Sequence, residues 1–423
     1  MKKSILFILP FFPYPLVSGG HQALYNGIIA VKDDFDIYIA YRARNDEVYK
    51  NAVEAFKKKN PSIKLFPLLS EVHKTNLLIS LLRKVCHYAS NPFRKRRYNN
   101  SNNESDGLCL AWLRSISPLD KHWLRHISDL TTNREFDIIQ VEMPWMVSQI
   151  LTLPLNSKRV FIHHEIGVTR RSLEICGKDQ SEYMIACRAF ADYNEIALLN
   201  KYDMVVTLSS VDARKLKEYG VSAPISVSMA VVSTSHQTDY VPSNGKRLVF
   251  IGPEEHAPNL IGVVWFLENC WARLKEEYND YSLDIIGIWS EQKRSEISKK
   301  YQDVSFCGYV EDLAETLKNA IMIGPITIGS GVRMKILEAS SRGIPFVSTS
   351  VGAEGLPVED AKHCFIADDP DTFIRSIIKL QNKDIQRKFV ANTRNMIKDY
   401  YTLSSLRRNR IDIYSQLLNL NQL

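Results

Sequence analysis

Residues Ile321 to Leu356 read I-M-I-G-P-I-T-I-G-S-G-V-R-M-K-I-L-E-A-S-S-R-G-I-P-F-V-S-T-S-V-G-A-E-G-L. The apolar run Ile321 to Ile323 stops at Gly324-Pro325, the pattern of a short buried parallel strand. Gly329-Ser330-Gly331 then allows a sharp turn and a close backbone approach to a ligand. Val332 to Ser341 holds good helix formers and no internal breaker, and Gly343 marks its end. Pro345 to Ser348 reads as the next strand. A glycine-rich turn feeding a helix N-terminus brings free N–H groups and the positive end of the helix dipole to one spot, which suits an anion.

The helix carries further polar groups for such a site. Glu338 follows Gly331, Met334 and Lys335 by seven, four and three residues and so shares their face. It lies about 7 Å along the axis from Arg333, at roughly 1.5 Å per residue. An anion at the helix mouth with hydroxyls one turn further in is the layout of a nucleotide sugar, with diphosphate next to ribose. The plain alternative is a strand–helix–strand unit whose Arg, Lys and Glu form a solvated face, since one glycine-rich turn is weak evidence.

The stretch Gly329 to Leu356 resembles the donor-site signature of family-4-like glycosyltransferases with two Rossmann domains, the GT-B fold. Other pieces follow in that family's order: Phe250-Ile251-Gly252, Pro258-Asn259, Trp265-Phe266, Leu283 to Gly287, Val304 to Asp312 and Phe365 to Pro370. The resemblance covers about Arg247 to Leu380 well and the N-terminal half loosely. It implies retaining transfer of a sugar from a UDP- or GDP-linked donor held mainly by the C-terminal domain, with no metal and no cofactor. On the matching positions it implies donor contacts at Gly252, His256, Gly329, Ser330, Gly331, Val332, Glu338 and Glu354. It implies a histidine near the transferred sugar; with no Arg or Lys in the Gly252 to His256 loop, Arg333 and Lys335, just inside the anion site, are expected to stabilise the diphosphate charge.

A chain of 423 residues with 45% hydrophobic and 24% charged residues is that of a globular protein of two domains. No apolar run approaches the roughly 18–20 residues of a membrane span. Seven scattered cysteines without Cys-x-x-Cys spacing argue for a reducing cytoplasm and against a zinc site. The net charge of +7 falls entirely in residues 1–240, with 31 Lys/Arg against 24 Asp/Glu; residues 241–423 carry 23 of each. Lys74, Arg83, Lys84, Arg94, Lys95, Arg96 and Arg97 interleave with leucines, isoleucine and phenylalanine. That pattern suits rest on an anionic membrane face, bringing a lipid-linked acceptor to the enzyme; an ordinary solvated helix and loop is the alternative. Nothing points to nucleic acid.

Three prolines inside the apolar N-terminus argue against a signal peptide, so Ser4 to Leu9 reads as the first buried strand. The loop after it holds Gly19, Gly20 and His21, with a helix from about Gln22; the resemblance places such a loop near sugar and acceptor. Asp34-Phe35-Asp36 sits at a strand entrance, where acidic residues serve as turn formers rather than metal ligands. Strands follow at Ile63 to Phe66, Asp137 to Val141, Val160 to His163 and Met204 to Leu208. Their alternation with helical patterns is a doubly wound α/β sheet. Ser209 reads as a helix N-cap, and Asn99 to Gly107 as a polar loop. His163-His164-Glu165 ends a strand, where ligands of open α/β sheets bind; strand alternation favours His164 over His163 for the cleft.

These readings give an acceptor domain over residues 1–235, a linker rich in polar residues, and a donor domain over 246–400 facing it across a cleft. A last helix in 401–423 packs back on the first domain. Two departures from the family pattern stand out. Its first glutamate would fall at Ser330, and its Arg/Lys pair after the first strand of the donor domain is replaced by Gly252-Pro253-Glu254-Glu255-His256. The expectation is a cytoplasmic glycosyltransferase of cell-surface saccharide assembly, working at the inner membrane face. A sugar-nucleotide epimerase or phosphorylase on the same fold is one rival, and an inactive nucleotide-binding scaffold the other.

Overall fold

A computed structural model describes residues 2–16, 18–69, 103–175, 181–232, 240–310, 313–329 and 331–419. The basic segment 74–97, Ser330 and residues 233–239 of the linker lie outside the described residues.

Thirteen named strands form two parallel sheets. The first runs β3-β2-β1-β4-β5-β6-β7, from β1 (Ser4–Leu9), β2 (Asp36–Ala43), β3 (Lys64–Leu69), β4 (Ile138–Glu142), β5 (Lys158–His163), β6 (Met204–Thr207) and β7 (Ile225–Val227). The second runs β10-β9-β8-β11-β12-β13, from β8 (Arg247–Ile251), β9 (Ser282–Ile286), β10 (Val304–Gly308), β11 (Ile321–Gly324), β12 (Phe346–Ser348) and β13 (Phe365–Ile366). All the named strand pairs are parallel, with Phe7 opposite Ile39 and Gln140, and Met322 opposite Val249 and Phe346. Helices cover both faces, so Ile5 to Leu9 of the central strand β1 are all apolar and buried. The doubly wound α/β reading is what the structure shows, twice over.

In each sheet the winding reverses beside the first strand, between β1 and β4 and between β8 and β11. At such a switch point the loops leaving the two strands diverge and open a crevice beyond their carboxyl ends. Glu142 ends β4, Gly252 follows β8 and the glycine-rich loop follows β11, so topology alone brings these residues to the two crevices.

The terminal helix Leu403–Leu417 packs on helix Gly19–Val31, and Leu406, Ile413 and Tyr414 join the core of the first sheet. Tyr414 meets Phe35 edge-on at 5.5 Å. Asp34 holds the same helix through Arg407, at 2.9 Å from its Nε and 2.5 Å from its Nη2. Asp34 of the Asp-x-Asp sequence is thus engaged structurally.

Three local readings are corrected. Helix Gly19–Val31 starts three residues before Gln22, because the Ser18 hydroxyl caps it by accepting from His21 N; Gly19, Gly20 and His21 form its first turn, not a loop. Asn103 to Gly107 open helix Asn103–Ile116 rather than a polar loop. The donor-side helix spans Met334–Ser341, with Arg333 at its N-cap in a non-helical conformation, so Val332 and Arg333 precede it.

Candidate functional site

Gly331 lies at φ 78°, a left-handed conformation that favours glycine, and a Cβ there would stand 3.1 Å from the carbonyl oxygen of His164. The loop after β11 thus touches the end of β5, and the two sheets' crevices face each other at this point. The first turn of helix Gly19–Val31 lies alongside: a Cβ on Gly19 would sit 3.5 Å from the Met334 side chain, and one on Gly20 3.4 Å from Met143. Met143 itself stands at φ 79° directly after β4, an uncommon conformation of the kind found where a chain turns sharply into a site. His21 leans on Phe11 and shares a 2.8 Å hydrogen bond with Ser18, and burial lowers its pKa.

The two strand-end histidines part as β alternation requires. His163 is buried, 3.2 Å from Glu195. His164 keeps some exposure and lies 2.7 Å from Glu142 through Nε2. Glu142 in turn accepts from Gln140 at 2.5 Å, and Gln140 accepts from the Tyr414 hydroxyl. A buried polar chain therefore runs from the terminal helix to the cleft and fixes the His164 ring.

On the facing side, Arg333 is buried and folds back to donate from Nη1 to Gly331 O at 2.7 Å. Burial lowers its pKa, against the pull of Glu354, Glu165 and Asp212. Lys335 lies over the Phe250 ring at 4.7 Å and donates to Asn259 Oδ1. Burial, with the neighbouring Arg333 charge, pushes its ammonium down to about 7. His256 is lowered by burial and by the nearby Lys335, with Asn259 acting the other way. The Arg333 charge thus suppresses that of Lys335, and both suppress that of His256, which is the electrostatic setting for an anion.

Asn259 is the residue the sequence left without a role. It is buried, bonds Pro253 O at 2.8 Å and His256 O at 2.8 Å, and receives Lys335. Gly252 permits this, since a Cβ there would strike the Asn259 amide at 2.5 Å and its φ is 156°. Glu254 turns away to Ser290 N at 2.6 Å. Glu338 is a quarter exposed and pairs with Arg342 at 3.3 Å. Glu354 is placed beside Lys215 on the other side of the cleft at 2.6 Å, apart from the Lys335–Asn259 pair. Among the described residues no cluster of His, Cys, Asp and Glu is arranged to hold a metal ion.

Residues 245–383 match the family of Glycosyl transferases group 1. That glycosyl transferases group 1 match covers every strand of the second sheet and the glycine-rich loop. A Klebsiella pneumoniae protein described as an uncharacterized 44.6 kDa protein in the cps region is 24% identical over 298 residues, 67% of this chain and 76% of that one. Solved structures match over nearly the whole length. Sucrose-phosphate synthase from Thermosynechococcus elongatus aligns with TM-score 0.69 at 12% identity, over 99% of this chain and 100% of that one. S. aureus TarM, in complex with Fondaparinux, alpha-GlcNAc-glycerol and UDP, aligns with TM-score 0.67 at 12% identity, over 98% and 100%. Anabaena HepE in complex with UDP aligns with TM-score 0.62 at 12% identity, over 98% and 100%. At these identities the likeness shows the fold, which is GT-B.

Proposed function

We propose that the chain transfers a sugar from a UDP- or GDP-linked donor to a saccharide or lipid-linked acceptor, with retention of configuration, in the assembly of a cell-surface polysaccharide. The observation that carries this reading is the gathering of Arg333, Lys335 and His256 beside the Gly329–Gly331 turn, within the region matching group 1 glycosyl transferases. A diphosphate would relieve their mutual repulsion and take the N–H groups at the helix mouth. The cps-region relative and the UDP complexes of fold relatives point the same way.

In this reading the donor diphosphate lies against Arg333 and Lys335, and Glu338 receives the ribose hydroxyls one turn further along. The departing diphosphate oxygen takes the acceptor proton on the face where the new bond forms, so the protein's work is alignment and stabilisation of the growing negative charge. His164, held by Glu142, contacts the transferred sugar from across the cleft. The site would lie in the cytoplasm at the inner membrane face. No described helix is long and apolar enough to cross a membrane.

A thermal-shift screen over UDP, GDP and their common sugar conjugates tests the reading, because a ligand of the native state raises the melting point. Stabilisation by one nucleotide family, followed by acceptor-dependent loss of its sugar, is the expected result. Stabilisation with no sugar release would make the chain a nucleotide-binding scaffold, and no stabilisation by any of them would refute the site.

A further inference from the structure

A second pocket opens on the first-sheet side, beyond the ends of β4 and β5, bounded by helices Asn103–Ile116 and Gly167–Glu174. The cavity itself measures about 130 Å³, smaller than a site that encloses a whole drug-sized ligand, so it suits one small end group of a larger molecule. Trp145 forms one wall and is 43% exposed, unusual for so large an apolar side chain. Glu165, Arg170 and Glu174 line the same pocket. Glu174 accepts from the buried Trp112 indole at 2.7 Å and from Arg170 at 2.8 Å. Glu165 is 3.6 Å from the same guanidinium.

Two features tie this pocket to the cleft. Glu165 follows His164 directly and feels the Arg333 charge, and Arg170 influences His256. A molecule in the pocket therefore lies beside the strand end that Gly331 approaches. The pocket's charge is also informative. Its lining has three carboxylates, Glu165, Glu174 and Glu195, against two guanidiniums, Arg170 and Arg171. Both guanidiniums are already engaged: Arg170 by Glu165 and Glu174, Arg171 by Asp192 and Glu195, each at 2.5 Å. An incoming anion would find no uncommitted cation here and two carboxylates at close range.

We propose that this pocket receives the acceptor's terminal sugar as an uncharged pyranose, stacked on Trp145 with hydroxyls donated to Glu165 and Glu174, and that it excludes uronates and phosphorylated termini. An aromatic face with its negative quadrupole suits the axial C–H groups of a pyranose. Carboxylate oxygens accept its hydroxyl protons in short, charge-assisted bonds. Burial raises the Glu165 pKa, opposed by Arg170 and Arg333, and a desolvated carboxyl gains by a hydroxyl donor. This assignment rests on the glycosyl-transfer reading for its meaning, but its test does not require turnover.

Saturation-transfer NMR on the full chain would use the methyl α-glycopyranosides of glucose, galactose and mannose, with methyl α-glucuronide as the charged counterpart. Transfer to at least one neutral pyranoside and none to the glucuronide is expected. Trp145→Ala should weaken the signal about five- to tenfold, the effect of losing one aromatic stack, and Trp145→Phe should recover most of it. Melting shifts with UDP and GDP, run on each variant, report the donor side separately. Their absence would sink the glycosyl-transfer reading without touching the sugar result. A neutral signal undiminished in Trp145→Ala, an equal signal from the glucuronide, or no signal from any neutral sugar would overturn the pocket assignment.

Discussion

Lys215 Nζ stands 2.6 Å from Glu354 Oε1, joining helix Ser210–Glu218 beside the first sheet to the loop after β12 in the second. Gly355, at φ 81°, lets that loop approach Ser209, whose Cβ would lie 3.2 Å from an added Cβ. The contact crosses the cleft next to Arg333, whose charge Glu354 also supports. Both partners are about a quarter exposed, so the pair is worth no more than about 1 kcal/mol. That is still enough to shift an open–closed equilibrium about fivefold.

Lys215→Ala and Glu354→Gln should therefore each favour a more open form, seen as a larger radius of gyration in small-angle scattering at low salt. The exchanged pair Lys215→Glu with Glu354→Lys should restore the compact value. Raising ionic strength should imitate the single substitutions, since partly exposed pairs are screened. Unchanged scattering in both single variants would remove the pair from closure.

Lys335 gives a pH prediction with a definite sign. Its pKa is about 7 in the folded chain against roughly 10.4 in an unfolded one. Between these values the unfolded state binds more protons, so this group's contribution to stability rises with pH across the interval. Relative to Lys335→Met, the wild-type melting point should climb from about pH 7 to pH 10. A bound diphosphate should restore the proton, so UDP or GDP binding at pH 8.5 should take up about one proton. Calorimetry in buffers of different ionisation enthalpy measures it, and no proton uptake would place the diphosphate elsewhere.

Much of this was legible in the chain. The apolar runs of β1, β5 and β11 marked buried parallel strands, and Gly329 and Gly331 marked the turn between β11 and its helix. The alternation of His163 and His164 separated a core residue from one with a more open environment. Other features were hidden for a physical reason. Lys215 and Glu354 are 139 residues apart, and Tyr414 reaches Gln140 across 274; no local pattern encodes such meetings. Asn259 was visible only as part of the Pro258-Asn259 piece of the family pattern, without a role of its own. The helix start at Gly19 was missed because two glycines read as loop, while the single Ser18 cap outweighs their low propensity.

Tyr414→Phe tests the polar chain behind His164. The change leaves the aromatic packing on Phe35 intact but removes the hydroxyl that donates to the buried Gln140 carbonyl. Leaving that oxygen unpaired should cost about 1–3 kcal/mol of stability, read from denaturant unfolding. If His164 depends on the chain for its orientation, acceptor-dependent turnover should fall more than donor affinity does. Equal loss of both would mean a general destabilisation only.

Glu338→Ala should weaken donor binding by about 2–3 kcal/mol, the scale of charge-assisted hydrogen bonds. Glu338 is a quarter exposed and pairs with the neighbouring Arg342, so the variant should fold. Titration with the donor-derived nucleoside diphosphate measures the loss. A folded variant of unchanged affinity would move the ribose away from this helix.

The last prediction concerns which group stabilises the leaving diphosphate, given that the loop Gly252 to His256 supplies no arginine or lysine. Arg333 has a planar fork suited to two phosphate oxygens, and sits at the N-cap where helix N–H groups converge. Its Nη1 donates to Gly331 O, and it needs only to exchange that carbonyl for a phosphate oxygen. Negative charge grows on the diphosphate as the glycosidic bond breaks, so the contact should strengthen toward the transition state. Arg333→Ala should then slow single-turnover transfer by about 10²–10³, while the nucleotide still binds. Arg333→Lys should recover part of the rate, as a point charge without the fork. His256 is the competitor. Burial and Lys335 lower its pKa, but a diphosphate would draw a proton onto it. The same single-turnover measurement on His256→Ala separates the two. A near-normal rate in folded Arg333→Ala with collapse in His256→Ala would assign the role to the histidine, and its rate would then fall as pH rises through the histidine's pKa in the complex.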